Sequence, residues 1–413
     1  MSINNQSYVI NPSLSVKERD DDVLIVLPHE RKKLQASKQF IKVLKIIEKP
    51  IELASVEELG INNKVLQFLL GEKILVPERD VQYYQNGLIN HPKDTIGKKI
   101  DIMKINSNTE FQGQFCFIGV PVSYENKGLN SPVHGTSQIR ANIKLFDTLS
   151  SLDFQKEEEF IFDLNHSKSY VGSDVVPYDI GDIIYDSRSE SINDVNNKVK
   201  FIVKKVSDHK LKPLVLGGDH TITYPVVSTL MERYKNLTII HFDAHTDRYE
   251  SRLRNIQGLT IGNVFSELMK EKNFHQLVQV GIREFDKKDH NSIDLEDRVT
   301  IHSANKIHML KDVTSIFSSL DKNNPVYISF DVDVLDPAYA PEVAWPVIGG
   351  LHYHQVSSLI SHLCSNFNIV GADFVEVCAG NRKPNLAALS AANLATLITL
   401  NQNKKIVEVT SSC

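Results

Sequence analysis

Cysteine is scarce in this chain: four in 413 residues, Cys116, Cys364, Cys378 and Cys413, with no paired spacing. That fits a reducing, cytoplasmic setting better than a disulfide framework. No apolar run reaches the roughly 20 residues that a membrane-spanning helix needs. The start, Met1-Ser2-Ile3-Asn4-Asn5-Gln6, has no charged segment followed by an apolar core, so no signal peptide is expected. Neither sign of charge dominates. Lys and Arg number 46 and Asp and Glu 51, for a formal net charge of −5, which gives no support to a nucleic-acid or membrane partner. Internal repeats and low-complexity segments are also missing. The length permits a large core and two or three domains.

What is present, from about residue 112 onward, is alternation. Apolar runs of strand length at 115–119, 213–216, 237–242, 277–281, 326–330 and 369–377 are interleaved with helical periodicity over 194–207, 224–234, 311–320, 354–364 and 385–400. This pattern predicts an α/β fold with a parallel sheet covered on both faces. Ligands of such sheets sit outside the carboxyl ends of the strands.

Residues 1–84 read differently. Val23-Leu24-Ile25-Val26-Leu27 is a strand candidate stopped by Pro28. Phe40, Val43, Leu44 and Ile47 recur at helical spacing. Ser55-Val56-Glu57-Glu58-Leu59 reads as a capped short helix. Asn63 opens another helix carrying Val65, Leu66, Leu69 and Leu70, and residues 73–77 follow as a strand. Helix, short helix, helix and strand in that order resemble a winged helix. Packing or oligomerisation is one reading of such a unit, and docking of a precursor peptide is another. No basic stretch on Asn63–Leu70 supports nucleic acid. The polar residues 85–111 read as a linker.

Three short segments follow apolar strands and carry the chemistry. They are Gly217-Gly218-Asp219-His220, Asp243-Ala244-His245-Thr246-Asp247 and Asp331-Val332-Asp333-Val334-Leu335-Asp336-Pro337. Residues two apart on a strand point to one side. If the chain stays extended, Asp243, His245 and Asp247 aim at one spot, and Asp331 and Asp333 add two more groups. A single such segment is usually a cap, a turn or a surface pair. Three of them in this order read as a two-metal hydrolase site, because so many crowded carboxylates and imidazoles require cations. Two divalent ions bridged by carboxylates meet that need and activate water at neutral pH. The mixed ligand set suits Mn2+, with Ni2+, Co2+ or Zn2+ also compatible. No thiolate takes part, which argues against structural zinc.

These segments resemble the signatures of the ureohydrolases, the arginase and agmatinase family. Gly119-Val120-Pro121, Asp179-Ile180-Gly181-Asp182, Gly281-Ile282-Arg283-Glu284, Pro337 with Pro341, and Asp373-Phe374-Val375-Glu376-Val377 match in the same order. The resemblance covers about residues 112–413 and implies a three-layer α/β/α sandwich with its metals at the carboxyl edge of the sheet. It implies one metal on His220, Asp243, Asp247 and Asp331, and a second on Asp243, His245, Asp331 and Asp333, with Asp243 and Asp331 bridging. Glu376 matches the family's guanidinium anchor, a task suited to a carboxylate's bidentate pairing. Asp247, as a terminal ligand, is best placed to take a proton from the attacking water. Asp219 and Asp336 would orient ligands and loops or merely cap them, and Asp373 would be structural. Family members commonly assemble as trimers or hexamers, so a homo-oligomer is expected.

Three departures bear on the substrate. Where agmatinase-like members carry His-Gly-Thr, this chain has Gln257-Gly258-Leu259-Thr260, and an amide does not shuttle protons. His352 and His354 are rivals for protonating the leaving amine, or simply helix-start residues. In place of a Thr-Gly-Thr-Pro-like loop stand residues 342–350, whose Trp345 walls the site or packs. Residues 248–255 lack the Asn/Ser set that free-arginine enzymes use. The expected function is therefore a guanidino hydrolase releasing urea. Its substrate would be arginine side chains within a peptide, converted to ornithine, or a small guanidino compound such as agmatine, guanidinobutyrate or guanidine. A one-zinc deacetylase on the related fold is disfavoured because all six ligand positions are filled. A silent binding protein has only Gln257 in its favour.

Overall fold

The computed structural model describes residues 7–11, 14–27, 32–47, 50–53, 58–78, 89–90, 92, 95–103, 105, 109–111, 113–125, 131–143, 160–163, 168–171, 176–185, 190–249, 258–284, 297–380, 384–401 and 406–407. They divide into a smaller unit (Met1–Asn90, Met103–Ile105 and Ile183–Lys198) and a larger one (His91–Ile102, Asn106–Asp182 and Val199–Cys413).

The strands of the larger part are β1 (Phe115–Val120), β2 (Tyr178–Ile183), β3 (Lys212–Gly217), β4 (Thr238–Phe242), β5 (Gln276–Ile282), β6 (Val299–Ser303), β7 (Pro325–Asp331) and β8 (Asn368–Val375). They form one parallel sheet in the order β6-β5-β4-β7-β8-β3-β1-β2. Residues Lys98–Lys99, within the expected linker, pair parallel to β2. The main helices are α1 (Gly135–Asn142), α2 (Ile192–Asp208), α3 (Thr223–Arg233), α4 (Tyr353–Asn366) and α5 (Leu386–Asn401). Every residue of β1 and β4 is buried, as a sheet covered on both faces requires. The three-layer α/β/α sandwich is the architecture observed.

Register sets the level of the site. Leu216 pairs with Phe374, Phe374 with Phe330, and Phe330 with Phe242, one row across β3, β8, β7 and β4. The phenylalanine rings touch along it, with centroids 5.6 Å apart for Phe242–Phe330 and 5.2 Å for Phe330–Phe374. This apolar floor lies on the opposite face from the next residues along, Asp243 and Asp331, because side chains alternate.

One expected helix is corrected. Over 311–320 the chain makes only a 3-10 turn, Val313–Phe317, capped by Asp312 through the Thr314 amide at 2.9 Å. The Asp312 cap, with Val313 and Thr314 following it, favours a short turn over a continued α-helix.

In the smaller unit, Ser7–Ile10 pairs antiparallel with Ile51–Glu52 and Leu75–Pro77. Ser15–Glu18, Val23–Leu27 and Lys32–Ala36 form an antiparallel meander. Helices Gln39–Ile46 and Asn63–Gly71 complete it, the second capped by Asn62 accepting from the Val65 amide at 2.9 Å. Val23, Ile25, Phe40, Leu44, Leu69 and Ile74 share one core. Two of the expected helices lie among the described residues, and Ser55, Val56 and Glu57 of the expected short helix lie outside them. Among the described residues no helix is long and apolar enough to cross a membrane.

Gly218 joins three strand ends. Its amide donates to Val120 O at 3.1 Å and its carbonyl accepts from the Glu376 amide at 3.0 Å, while a Cβ would run into the Val122 backbone. Gly218→Ala should cost about 1–3 kcal/mol by overpacking, read as a lower urea midpoint. An unchanged midpoint would show that this rim relaxes freely.

Candidate metal centre

The six ligand candidates converge, but not by extension. β4 ends at Phe242, and Asp247 turns into the left-handed region with φ 46°. Residues Val332–Val334 and His220–Ile222 form 3-10 turns. One local device makes all three bends. The carboxylate of the first Asp accepts from the amide two residues on: Asp243 from His245 at 2.6 Å, Asp331 from Asp333 at 2.9 Å, and Asp219 from Thr221 at 3.2 Å. Such turns are a standard alternative to continued strand for Asp. They correct the expectation of an extended run.

His220 Nδ1 lies 2.9 Å from Asp247 Oδ2, 3.3 Å from Asp243 Oδ2 and 3.4 Å from Asp331 Oδ2. His245 Nδ1 lies 3.1 Å from Asp333 Oδ2 and 3.3 Å from Asp243 Oδ1. The two oxygens of Asp243 thus face different imidazoles. Asp331 turns Oδ2 to the first group, while its Oδ1 accepts from the Asp333 amide.

The hydrogen bonds also fix the His220 tautomer. Ser329 Oγ donates its one proton to Asp373 Oδ1 at 2.9 Å, so it accepts from His220 Nε2 at 3.1 Å. In the neutral imidazole, Nδ1 is then the nitrogen without a proton, and it faces three carboxylate oxygens. That donor set fits a divalent cation. Asp373 also accepts from Tyr327 at 2.6 Å and Thr223 at 2.9 Å. Through Ser329 it therefore braces the ligand candidate His220 as well as the sheet.

Without cations the charges rearrange through protons. Burial, then the charges of Asp333 and Asp243, hold Asp331 well above the usual carboxylate range. Burial and Asp243 raise Asp333 and push Asp247 up to about 6. Burial opposes a charge on His220, but hydrogen bonds to Asp243, Asp247 and Asp331 outweigh it and raise its pKa well above normal.

Glu376 follows β8 in a strained conformation, with φ 62°. Its Oε1 accepts from the His220 amide at 2.8 Å, while its buried Oε2 has no partner. Burial, then Asp219, raises its pKa well above the ordinary value. His245, Asp247, Asp331, Asp333 and Glu376 open into a pocket of about 530 Å³ that Glu125, Tyr249, Ile261, Glu284, Ala344 and Trp345 also line. Trp345 is 60% exposed at this pocket. His352 and His354 do not line it. His352 caps α4, and Gln257 lies outside the described residues. Asp219 accepts from the Tyr124 amide at 2.6 Å, and Asp336 from the Gly349 and Gly350 amides at 2.9 and 3.1 Å, so both fasten loops.

Sequence reasoning missed His241, Gln279 and Ser329. Each is a polar residue at 0% exposure within an apolar strand. Buried polar groups require partners, and that was the available signal.

Sheet order, covering helices and a carboxylate–imidazole cluster at the carboxyl edge define an α/β sandwich with a rim suited to cations. The arginase-family profile matches residues 113–400, and the chain belongs to that family, whose enzymes are metal-dependent hydrolases of guanidino groups. Agmatinase of Salmonella dublin is 29% identical over 319 residues, 76% of this chain and 94% of the relative. A solved arginase from Medicago truncatula is 27% identical with TM-score 0.53, over 70% of this chain and 87% of that one. Formimidoylglutamase from Bacillus subtilis, 22% identical, shares the fold with TM-score 0.58, over 76% and 93% of the two chains.

Because protons occupy the cation-free cluster, metal binding must displace them. Affinity should rise with pH between 6 and 8, by about tenfold per unit for each proton displaced. Titration calorimetry in buffers of different ionisation enthalpy reads that number directly. A pH-independent affinity would mean that the raised carboxylates lie outside the binding set.

Proposed function

We propose that this chain releases urea from an alkylguanidine whose far end carries no carboxylate, agmatine being the small-molecule form. The lining of the pocket carries this reading. Beyond the candidate ligands its charged groups are Glu125, Glu284 and Glu376, and among the described residues no Lys or Arg lines it. Such a field attracts cations and repels the carboxylate of guanidinobutyrate or free arginine.

His220, Asp243, Asp247 and Asp331 would hold one cation, and Asp243, His245, Asp331 and Asp333 the other, with manganese the expected metal. When bound, the pair neutralises the carboxylates and activates water. Glu376 receives the guanidinium on its unpartnered Oε2 and fixes the planar carbon toward the cluster. Tyr249, Ile261 and Trp345 wall the alkyl chain from solvent. Water adds to the guanidinium carbon, and Asp247, the terminal carboxylate of the cluster, takes the released proton. The bond from that carbon to the chain nitrogen then breaks. The proton on Asp247 passes to the departing amine, which relieves Gln257 of any part in the transfer.

Arginine within a peptide is the second reading. Its support is the extra N-terminal unit: the agmatinase match covers 94% of the relative but 76% of this chain. That unit exposes Ile46, Leu59 and Phe68.

Urea release from the full-length Mn2+-loaded protein tests both readings, with agmatine, guanidinobutyrate, arginine, guanidine and arginine-containing peptides offered in parallel. Turnover of agmatine well above guanidinobutyrate supports the first. Turnover of peptides alone supports the second, and a preference for guanidinobutyrate or free arginine sinks both. Glu376→Gln should keep two metals and weaken substrate binding by roughly 1.5–3 kcal/mol, the value of a charge-assisted pair. An unchanged KM would remove Glu376 from the anchor role.

A further inference from the structure

Beneath the candidate ligands runs a buried polar row. Gln279 pairs with His241, His241 with Ser329, and Ser329 with Asp373 across β5, β4, β7 and β8. On its strand, His241 stands two residues before Asp243 and on the same face. Its Nε2 lies 2.8 Å from Asp243 Oδ2, and its ring packs tilted against Phe265 with centroids 4.0 Å apart.

We propose that His241, with its tautomer fixed by Gln279, is a positioning residue that orients the Asp243 carboxylate and thereby sets the affinity of the centre for its cations. The inference rests on the two-cation reading above. Coordination by His241 itself is the rival role, since its nitrogen and the ligand atoms of His220, Asp243 and Asp247 lie within 4.8 Å of one another. The Gln279 amide decides between them. Its Nε2 is 2.7 Å from the Thr246 carbonyl and 2.9 Å from His241 Nδ1. A carbonyl accepts only, so that amide end is the NH2 group and His241 Nδ1 accepts its second proton. The His241 proton is then on Nε2, which has no lone pair left for a metal and donates to Asp243.

One side-chain amide thus does two things. It sets the imidazole that holds Asp243, and it grips the carbonyl of Thr246, between the candidate ligands His245 and Asp247. Asp243 alone faces both imidazoles of the centre, so a rotation of its carboxylate would disturb both cation positions together. Partners of this kind around a metal are worth roughly 10–100-fold in affinity.

The test compares metal affinity of the full-length wild type, His241→Gln and His241→Phe by chelator competition. The dimanganese electron paramagnetic resonance spectrum and the melting temperature of the metal-free proteins are recorded alongside. His241→Phe keeps an aromatic ring on Phe265 and loses the donor. His241→Gln keeps a donor at similar reach. Expected are roughly 10–100-fold weaker binding and an altered spectrum for His241→Phe, with His241→Gln within a few-fold of wild type. Equal affinity of wild type and His241→Phe overturns the proposal, as does an equal loss in both variants, which would mark a packing role. If His241→Phe does not fold, Gln279→Leu serves. Weaker metal binding with His241 still in place supports the device, and unchanged binding overturns it. A wild type that binds no second ion removes the two-cation reading itself, a result distinct from any difference among the variants.

Discussion

Everything at the carboxyl edge of this sheet depends on one constraint. Asp243, Asp331 and Asp333 are buried almost completely and within reach of one another, next to His220 and His245. Anions so placed repel across a weakly screening interior. The resolution is compensating positive charge, from cations when they bind and from protons otherwise. The sheet exists around that demand. Four contiguous strands end at one level, each sending its next residues to the same rim, and a row of packed residues, three of them phenylalanines, spans those strands on the opposite face.

The strain in the structure falls where the constraint is tightest. Asp247 and Glu376 both take left-handed backbone conformations without being glycine. Such conformations persist only where surrounding contacts over-determine them. At Glu376 the amide is held by Gly218 and the carboxylate by the His220 amide. At Asp247 the carbonyl is held by the Phe265 amide, and the carboxylate faces His220. The chain turns sharply at both points, so that neither carboxylate follows the strand preceding it.

Much of this was legible in the sequence, and the reasons are specific. Long apolar runs before Asp243 and Asp331 announce buried parallel strands, and acidic residues directly after them announce a site. What failed was the assumption that the chain stays extended, because an Asp at a strand end bonds the amide two residues later and bends it. The charged strands Ser15–Glu18 and Lys32–Ala36 of the smaller unit gave no apolar signal, since half of a thin meander faces solvent. His241 and Gln279 were hidden differently. They sit inside apolar strands as single polar letters, and their meaning comes from register across the sheet, which one strand's sequence does not contain.

The fold alone does not select a substrate, since an arginase and a formimidoylglutamase share it. Selection must come from the outer wall, and here the wall is anchored to the centre. Arg283 donates through Nη2 to the carbonyls of Asp333 and Val347, both at 2.7 Å. Asp336 accepts from Gly349 and Gly350 on the same loop. The segment bearing Trp345 is therefore bonded, through the Arg283 and Asp336 side chains, to the turn that carries Asp333. A wall held in that way discriminates by length and charge of the alkyl tail. On the proposed reading, the acidic wall would favour a guanidinium with a cationic or neutral tail over a carboxylate-bearing one.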